Sequence, residues 1–283
     1  MKFQLLDNHE ILTESYKENG FIHLKKFINF NEIDLNQYVL NCFNLIDDFS
    51  IETNKDTSSF LSELLIQIQN KDKGKWQEFK DIYLGIFQRS MAIYELASNT
   101  VIKTILNKVG IKKPYLCSDP LLMINEGSDH TILGNLTNSP LHQDWASMQS
   151  SQNSVVLWIP LVDMSPEGSS SIRVWPKSHL HGLITPKDNE WFSEITNDNF
   201  HAQEHNLIDI EYDKGDCILF SSLLVHKTIF SKRNYLPRLT IQLRYGDLSC
   251  GLLKRNKGVF NYMHCFPNKR ISERPNLEIP RKT

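Results

Sequence analysis

The sequence lacks any long apolar run. The longest, Val155–Val162, has eight residues with Pro160 inside it, against the roughly 18 that a membrane span needs. Met1–Lys17 carries Asp7, Glu10 and Glu14 and no apolar h-region, so a secretory signal is not expected. Cys-x-x-Cys is missing. The five cysteines, Cys42, Cys117, Cys217, Cys250 and Cys265, are odd in number and far apart. That argues against a cysteine zinc site or a disulfide framework and for a reduced, cytoplasmic compartment. An excess of one charge sign is also missing. Lys and Arg total 31 and Asp and Glu 33, a net charge of −2, so nucleic-acid binding through bulk positive charge is not expected. There is no internal repeat, no low-complexity tract and no Gly/Ser/Pro linker. Residues 1–283 therefore read as one domain. At 40% hydrophobic and 23% charged, the chain has the composition of a folded globular protein, not a disordered one.

Hydrophobic periodicity divides the chain. Residues 1–113 read mainly as a helical support region. Ile33, Leu35, Tyr38, Val39, Cys42, Leu45 and Ile46 recur at helical spacing, as do Phe60, Leu61, Leu64, Leu65 and Ile68. One or two further helices are expected over Trp76–Val109, with Gly110 as the stop. Gly20 interrupts this texture before a short strand, Phe21–Leu24. From residue 114 to 246 short apolar runs alternate with turns, at Tyr115–Ile124, Ser154–Leu161, Ile172–Trp175, Leu207–Glu211, Asp216–Phe220, Val225–Phe230 and Arg238–Tyr245. Such a series predicts a sandwich or closed barrel. Thr185–His205 is polar and reads as an insertion between strands. The tail, residues 247–283, has four Lys and four Arg against one Asp and two Glu. The plainer expectation is a solvated tail or an arm on a neighbouring subunit. The sharper one is a clamp for an anionic small-molecule substrate.

The strongest chemical signal is Pro140-Leu141-His142-Gln143-Asp144-Trp145. In extended backbone, residues i and i+2 project to the same side, so His142 and Asp144 can share one metal ion. Downstream, Gly215-Asp216 opens an apolar strand, and Leu223-Leu224-Val225-His226 follows a short turn. Two histidines and one carboxylate on one face of an iron leave open positions, which suits the facial triad of non-haem Fe(II) oxygenases. A bidentate cosubstrate and O2 can then occupy those positions. An acidic cosubstrate needs a guanidinium that holds carboxylate through two parallel bonds. Arg238, Thr240, Gln242 and Arg244 share one strand face. Parity does not choose between the two arginines. Six residues of strand span about 20 Å, so only one of them serves a metal-bound cosubstrate. Thr228 shares a face with His226 and offers a hydroxyl there.

In order along the chain, His142-Gln143-Asp144, Val156–Asp163, Pro166-Glu167-Gly168, Arg173–His179, Gly215–Phe220, Leu224-Val225-His226 and Pro237-Arg238 resemble the phytanoyl-CoA dioxygenase family. Tyr16–Ile22 is similar to that family's opening helix-to-strand turn. The resemblance covers most of residues 10–246. It implies a double-stranded β-helix (jelly-roll, cupin-like) with a mostly β core, packed helices and an N-terminal helical region. It implies Fe(II) as metal, 2-oxoglutarate as cosubstrate and O2 as oxidant. By position, His142, Asp144 and His226 are similar to the iron ligands, and Arg238, rather than Arg244, to the arginine for the far carboxylate of 2-oxoglutarate. Thr228, Trp158 and Met123 fall at cosubstrate-lining positions. The expected reaction is hydroxylation of an unactivated C–H bond of a small metabolite, with release of succinate and CO2. The retained carboxylate at Asp144 favours this over halogenation. Gln143, Trp145, Gln149 and Arg173 are candidate substrate contacts. The loop Ala146–Ser154 and the insertion Thr185–His205 depart from the family pattern.

Two other histidine patterns have ligand-like spacing, His179-x-His181 and His201-x-x-x-His205. A zinc protease requires Glu after the first histidine, and Ala202 stands there. Both read as surface histidines. The rival functional class is a binding module, a jelly-roll that binds metal without turnover.

Overall fold

The computed structural model describes residues 2–3, 9–45, 48–71, 86, 89–125, 139–163, 171–184, 187–188, 193–195, 204–229, 238–257 and 278–282. Much of the stretch expected as helix from Trp76 onward, the Pro166-Glu167-Gly168 turn, His201, Pro237 and Cys265 lie outside these.

Helices come first. They are α1 (His9–Asn19), α2 (Glu32–Phe43), α3 (Thr57–Lys71), α4 (Met91–Ala97) and α5 (Thr100–Lys108). Sequence fixes their ends locally. Ser90 Oγ accepts from Ile93 N–H at 3.4 Å and Asn99 Oδ1 from Val101 N–H at 2.8 Å, so each side chain satisfies a donor that the first helical turn leaves open. Gly110 ends α5 with φ of 93°, and Ile111 N–H reaches back to Leu106 O at 2.9 Å. Only a residue tolerant of positive φ closes a helix this way.

The strands form two facing sheets. The larger has the order β2 (Phe21–Leu24), β11 (Cys217–Ser221), β6 (Val155–Pro160), β13 (Arg238–Asp247) and β4 (Pro114–Leu116), with β5 (Leu121–Asn125) also on β13. The smaller has β10 (Ile208–Ile210), β7 (Ser171–Val174) and β12 (His226–Ile229). These pairings are antiparallel throughout. Every residue of β6 is buried, as befits a central strand covered on both faces. Its outer residues Leu157 and Ile159 belong to one continuous core with Val39, Phe43, Leu61, Leu64 and Leu106 of the helices. Tyr245, on the same outer face, donates to Ala97 O at 2.8 Å and so ties β13 to α4. The result is a jelly-roll with one sheet backed by helices.

The expected insertion partly joins the smaller sheet. Its segments β8 (Lys187–Asp188) and β9 (Ser193–Glu194) pair with each other, and β9 bridges His142, which in turn bridges His226. The basic tail also returns to its own chain. Leu183 N–H donates to Pro280 O at 3.1 Å, and Arg255 pairs with Glu278 at 2.6 Å. Among the described residues no helix is long and apolar enough to cross a membrane.

The turn that opens β11 depends on one glycine. Gly215 has φ of 82°, and a Cβ there would lie 2.1 Å from Ile28 O. Beside it Asp216 is fully buried and accepts from Lys26 N–H at 2.8 Å and Asp213 N–H at 3.1 Å, with His23 Nε2 at 2.8 Å and Lys25 Nζ at 3.0 Å. Burial alone would raise the Asp216 pKa, yet these partners hold it below the usual carboxylate range. Gly215→Ala is expected to cost about 1–3 kcal/mol through φ alone, and more through the clash. Chemical denaturation measures it, and an unchanged midpoint would contradict this reading of the turn.

Candidate active site

The pleat decides which side chains can meet. In antiparallel sheets, residues directly opposite one another share a face. His142 bridges His226, and His226 pairs Val174. The odd-numbered neighbours Leu141, Val225 and Trp175 pack together in a separate apolar cluster on the outside. His142, His226 and Val174 therefore point inward. From the facing sheet, Phe220 presents its ring 4.9 Å from the His226 ring, which fixes its face as inner. Register then places Val156 and Arg244 beside Phe220. The next inner row is Ile218, Trp158 and Gln242. Deeper still come Pro160, Thr240 and Met123.

At the mouth of this interior, His142, Asp144 and His226 each offer a ligand atom within 4.8 Å of the others. Among the described residues no other His, Cys, Asp and Glu gather so. His142 Nε2 stands 3.9 Å from Asp144 Oδ1, and His226 Nε2 3.7 Å from Asp144 Oδ2. Each imidazole is oriented by backbone. His142 Nδ1 lies 2.7 Å from Pro140 O and His226 Nδ1 3.0 Å from Leu224 O. A carbonyl only accepts, so Nδ1 carries the proton and Nε2 keeps a lone pair aimed at Asp144. This is how ligating histidines are held in metal sites.

Electrostatics favour the same state. Burial first, and His226 second, push His142 down to about 4, so its imidazole is neutral at neutral pH. Burial alone would raise the Asp144 carboxyl. Arg244, His226 and His142 outweigh it and hold the group below its ordinary value. Arg244 Nη2 donates to Asp144 Oδ1 at 3.4 Å and to Gln242 Oε1 at 2.9 Å. Two imidazoles and one carboxylate form a donor set suited to a divalent first-row metal.

The other candidates separate cleanly. Trp158 is buried on the inner face, edge-on to Tyr212 with centroids 4.6 Å apart. Met123 is half-buried opposite Thr240. Thr228 faces inward beside Ile172 and accepts from Ser139 Oγ at 2.8 Å. Arg238 opens β13 on the inner parity, and its side chain lies outside the described residues. Gln143 is buried and committed to backbone. Its Nε2 donates to Gly182 O at 2.9 Å and Leu223 O at 2.6 Å, and its Oε1 accepts from Ile184 N–H at 2.8 Å. It braces the ligand turn. Trp145 is fully buried with Leu223 and Leu252, its Nε1 bonded to Ser151 O at 3.1 Å. Gln149 is buried, with φ of 46°, and donates to Ala146 O at 3.3 Å. Arg173 is not brought to the site. It lies on the outer face opposite Lys227 and forms a two-point pair with Asp209 at 2.6 and 3.0 Å.

Two residues beyond the expected set stand on the inner wall. Arg244, set aside in the sequence in favour of Arg238, is the one whose guanidinium meets the metal carboxylate. Thr240 is fully buried, and its Oγ1 has no hydrogen-bond partner among the described residues. A buried hydroxyl without a partner costs about 1–3 kcal/mol, so a ligand group that meets it there is favoured. The Arg238-x-Thr240 spacing was the available signal for it.

A jelly-roll with an inward two-histidine, one-carboxylate cluster at its mouth defines a class, the non-haem iron oxygenases that use 2-oxoglutarate. More narrowly, the phytanoyl-CoA dioxygenase family model matches residues 16–229, and the chain belongs to that family. No curated protein matches it in sequence. Among solved structures it is similar in fold to the epimerase SnoN in complex with Fe3+, alpha ketoglutarate and nogalamycin RO. That match has a TM-score of 0.55 and 16% identity, covering 84% of this chain and 83% of the other. EctD from S. alaskensis, with 2-oxoglutarate and 5-hydroxyectoine, has a TM-score of 0.56 and 14% identity over 87% and 79%. The carbocyclase SnoK from nogalamycin biosynthesis has a TM-score of 0.53 and 13% identity over 94% of each chain.

Proposed function

We propose that the protein is an Fe(II)- and 2-oxoglutarate-dependent dioxygenase that hydroxylates an unactivated C–H bond of a small metabolite. The balanced reaction is R–H + 2-oxoglutarate + O2 → R–OH + succinate + CO2. The observation that carries this reading is the convergence of His142, Asp144 and His226 on one inward point with their proton-bearing nitrogens turned away.

Iron and 2-oxoglutarate, when bound, supply the oxygen activation. The chain supplies position and a dry wall. His142, Asp144 and His226 would hold the metal, and three protein ligands would leave room on it for a cosubstrate. Phe220, Val156 and Trp158 line the interior with apolar surface and exclude water. Thr240 and Arg238 stand deeper on the same strand face, where a hydroxyl and a guanidinium would hold the far carboxylate of 2-oxoglutarate. Thr228, with its oxygen already accepting from Ser139, is left with its own O–H to donate inward.

Thr240→Val separates binding from folding. It removes the buried hydroxyl at nearly constant shape, so the metal-free protein keeps or gains stability. The KM for 2-oxoglutarate is expected to rise about tenfold, the equivalent of ~1.4 kcal/mol, with kcat little changed. Steady-state succinate release against cosubstrate concentration checks it, and an unchanged KM removes Thr240 from the site.

The reading as a whole is tested by incubating iron-loaded protein with 2-oxoglutarate, O2 and fractionated metabolite extract. Succinate is expected in step with one product heavier than its precursor by one oxygen. Succinate with a product of unchanged mass or two hydrogens lighter would reassign the outcome to epimerisation, desaturation or ring closure. Absence of succinate with every fraction would favour a metal-binding module without turnover.

A further inference from the structure

We infer that Glu194, delivered by the insertion, is a specificity residue that selects substrates carrying a cationic nitrogen close to the reacting carbon. This rests on the oxygenase reading above and names the substrate class for that site.

The placement follows from backbone pairing. Glu194 bridges His142 directly, and Ile195 N–H donates to Leu141 O at 2.8 Å. That bonding pattern makes His142 and Glu194 a non-hydrogen-bonded pair, the closer of the two antiparallel geometries, with Cα atoms typically about 4.5 Å apart. Partners of this kind share a face. The neighbours confirm which face. Ile195, 1% exposed, packs with Leu141, Val225, Trp175 and Ile184 on the outside, so Glu194 projects with His142 and His226 to the inside. One cross-strand row thus runs Glu194, His142, His226, Val174. Glu194 sits beside the metal ligands without being one, since the ligand cluster comprises only His142, Asp144 and His226 among the described residues.

Charge gives the chemistry. Asp144 is already matched by Arg244. Glu194 is half-buried, and its carboxylate forms no ion pair with any side chain that the structure describes. A half-buried carboxylate opposite the metal ligand His142 favours an ammonium or guanidinium and disfavours an anion. This turns the expectation of an anionic substrate, drawn from the tail, to the opposite sign at the site itself.

The test uses matched probes, hexylammonium, hexanol and hexanoate, titrated by ligand-observed NMR into the full chain loaded with Zn(II) and 2-oxoglutarate. In parallel they are titrated into the metal-free chain. Hexylammonium is expected to bind about tenfold more tightly than hexanoate, a typical preference for one charge-assisted contact. Glu194→Gln, which keeps shape and removes charge, is expected to erase the preference. Equal binding of the three probes by the wild type, or a preference that survives Glu194→Gln, would overturn the proposal. Failure of Zn(II) and 2-oxoglutarate to bind would count against the oxygenase reading instead. The metal-free titrations would still decide the role of Glu194.

Discussion

Replacing His226 with alanine is expected to abolish turnover and weaken Fe(II) binding by more than the 10–100-fold that loss of an outer-shell partner typically costs. His226 supplies one of only three ligand atoms, and its Nε2 is 3.7 Å from Asp144 Oδ2. Its ring is also held at 4.2 Å from that of His142 by mutual backbone bonds, His142 N–H to His226 O at 3.0 Å and His226 N–H to His142 O at 3.1 Å. Those bonds are main chain, so alanine keeps the bridge. Asp144 also keeps Arg244. The variant should therefore fold, and its metal-free melting temperature should stay near wild type. Competition with a chelator under anaerobic conditions measures the affinity. A variant that folds and binds iron as well as wild type would remove His226 from the metal centre.

Arg244→Met is the second large effect, and it should act unequally on the metal-free and metal-loaded protein. Removing one partner of a buried ion pair typically costs about 3–5 kcal/mol, because the other charge is left uncompensated. Arg244 and Asp144 are both buried, and Nη2 meets Oδ1 at 3.4 Å. In the metal-free variant Asp144 stands alone, its pKa rises, and stability at neutral pH falls. A bound divalent cation would supply the missing positive charge. The loss in melting temperature should therefore be smaller with Fe(II) than without. Metal affinity itself should fall about 10–100-fold, as for an outer-shell partner, since the carboxylate loses the donor that orients it. Arg244→Lys should recover only part, because a flexible ammonium lacks the rigid planar group that sets Nη2 between Asp144 and Gln242. Differential scanning fluorimetry with and without metal reads both effects. Equal destabilisation in the two states would assign Arg244 to packing alone.

The sequence was most legible where apolar runs meet charged turns. Val155–Val162 and Cys217–Phe220 read directly as the strands β6 and β11, because central strands are apolar on both faces, and Arg238–Tyr245 as β13 from its polar–apolar alternation. The ligands were legible for a similar local reason. His142 and Asp144 are two apart, and His226 begins a strand after a turn. Partners set by long-range register were not. Parity could not choose which arginine serves the cosubstrate, and that Arg244 meets Asp144 depends on β13 pairing with β6 so that Arg244 falls beside Val156. Gln143 resembled a pocket residue because a polar side chain between two ligands suggests a substrate contact. Its amide is in fact spent on residues 182, 184 and 223, which no local pattern links to it. Arg173 could have been read outward, since it alternates with Ile172 and Val174 of the inner face. The insertion was the least legible. Its polar composition suggested a loop, and its role as the strand beside His142 rests on the backbone bond from Ile195 N–H to Leu141 O that sets Glu194 opposite His142.

The central claim is that three side chains present one ferrous site with room for a chelating 2-oxo acid. Anaerobic titration of the protein with Fe(II) and then 2-oxoglutarate tests it most directly. The expected result is a weak visible charge-transfer band that saturates at one metal and one cosubstrate per chain and is absent from His142→Ala and His226→Ala. Tight iron binding without that band, or a band that survives loss of either histidine, would contradict the account.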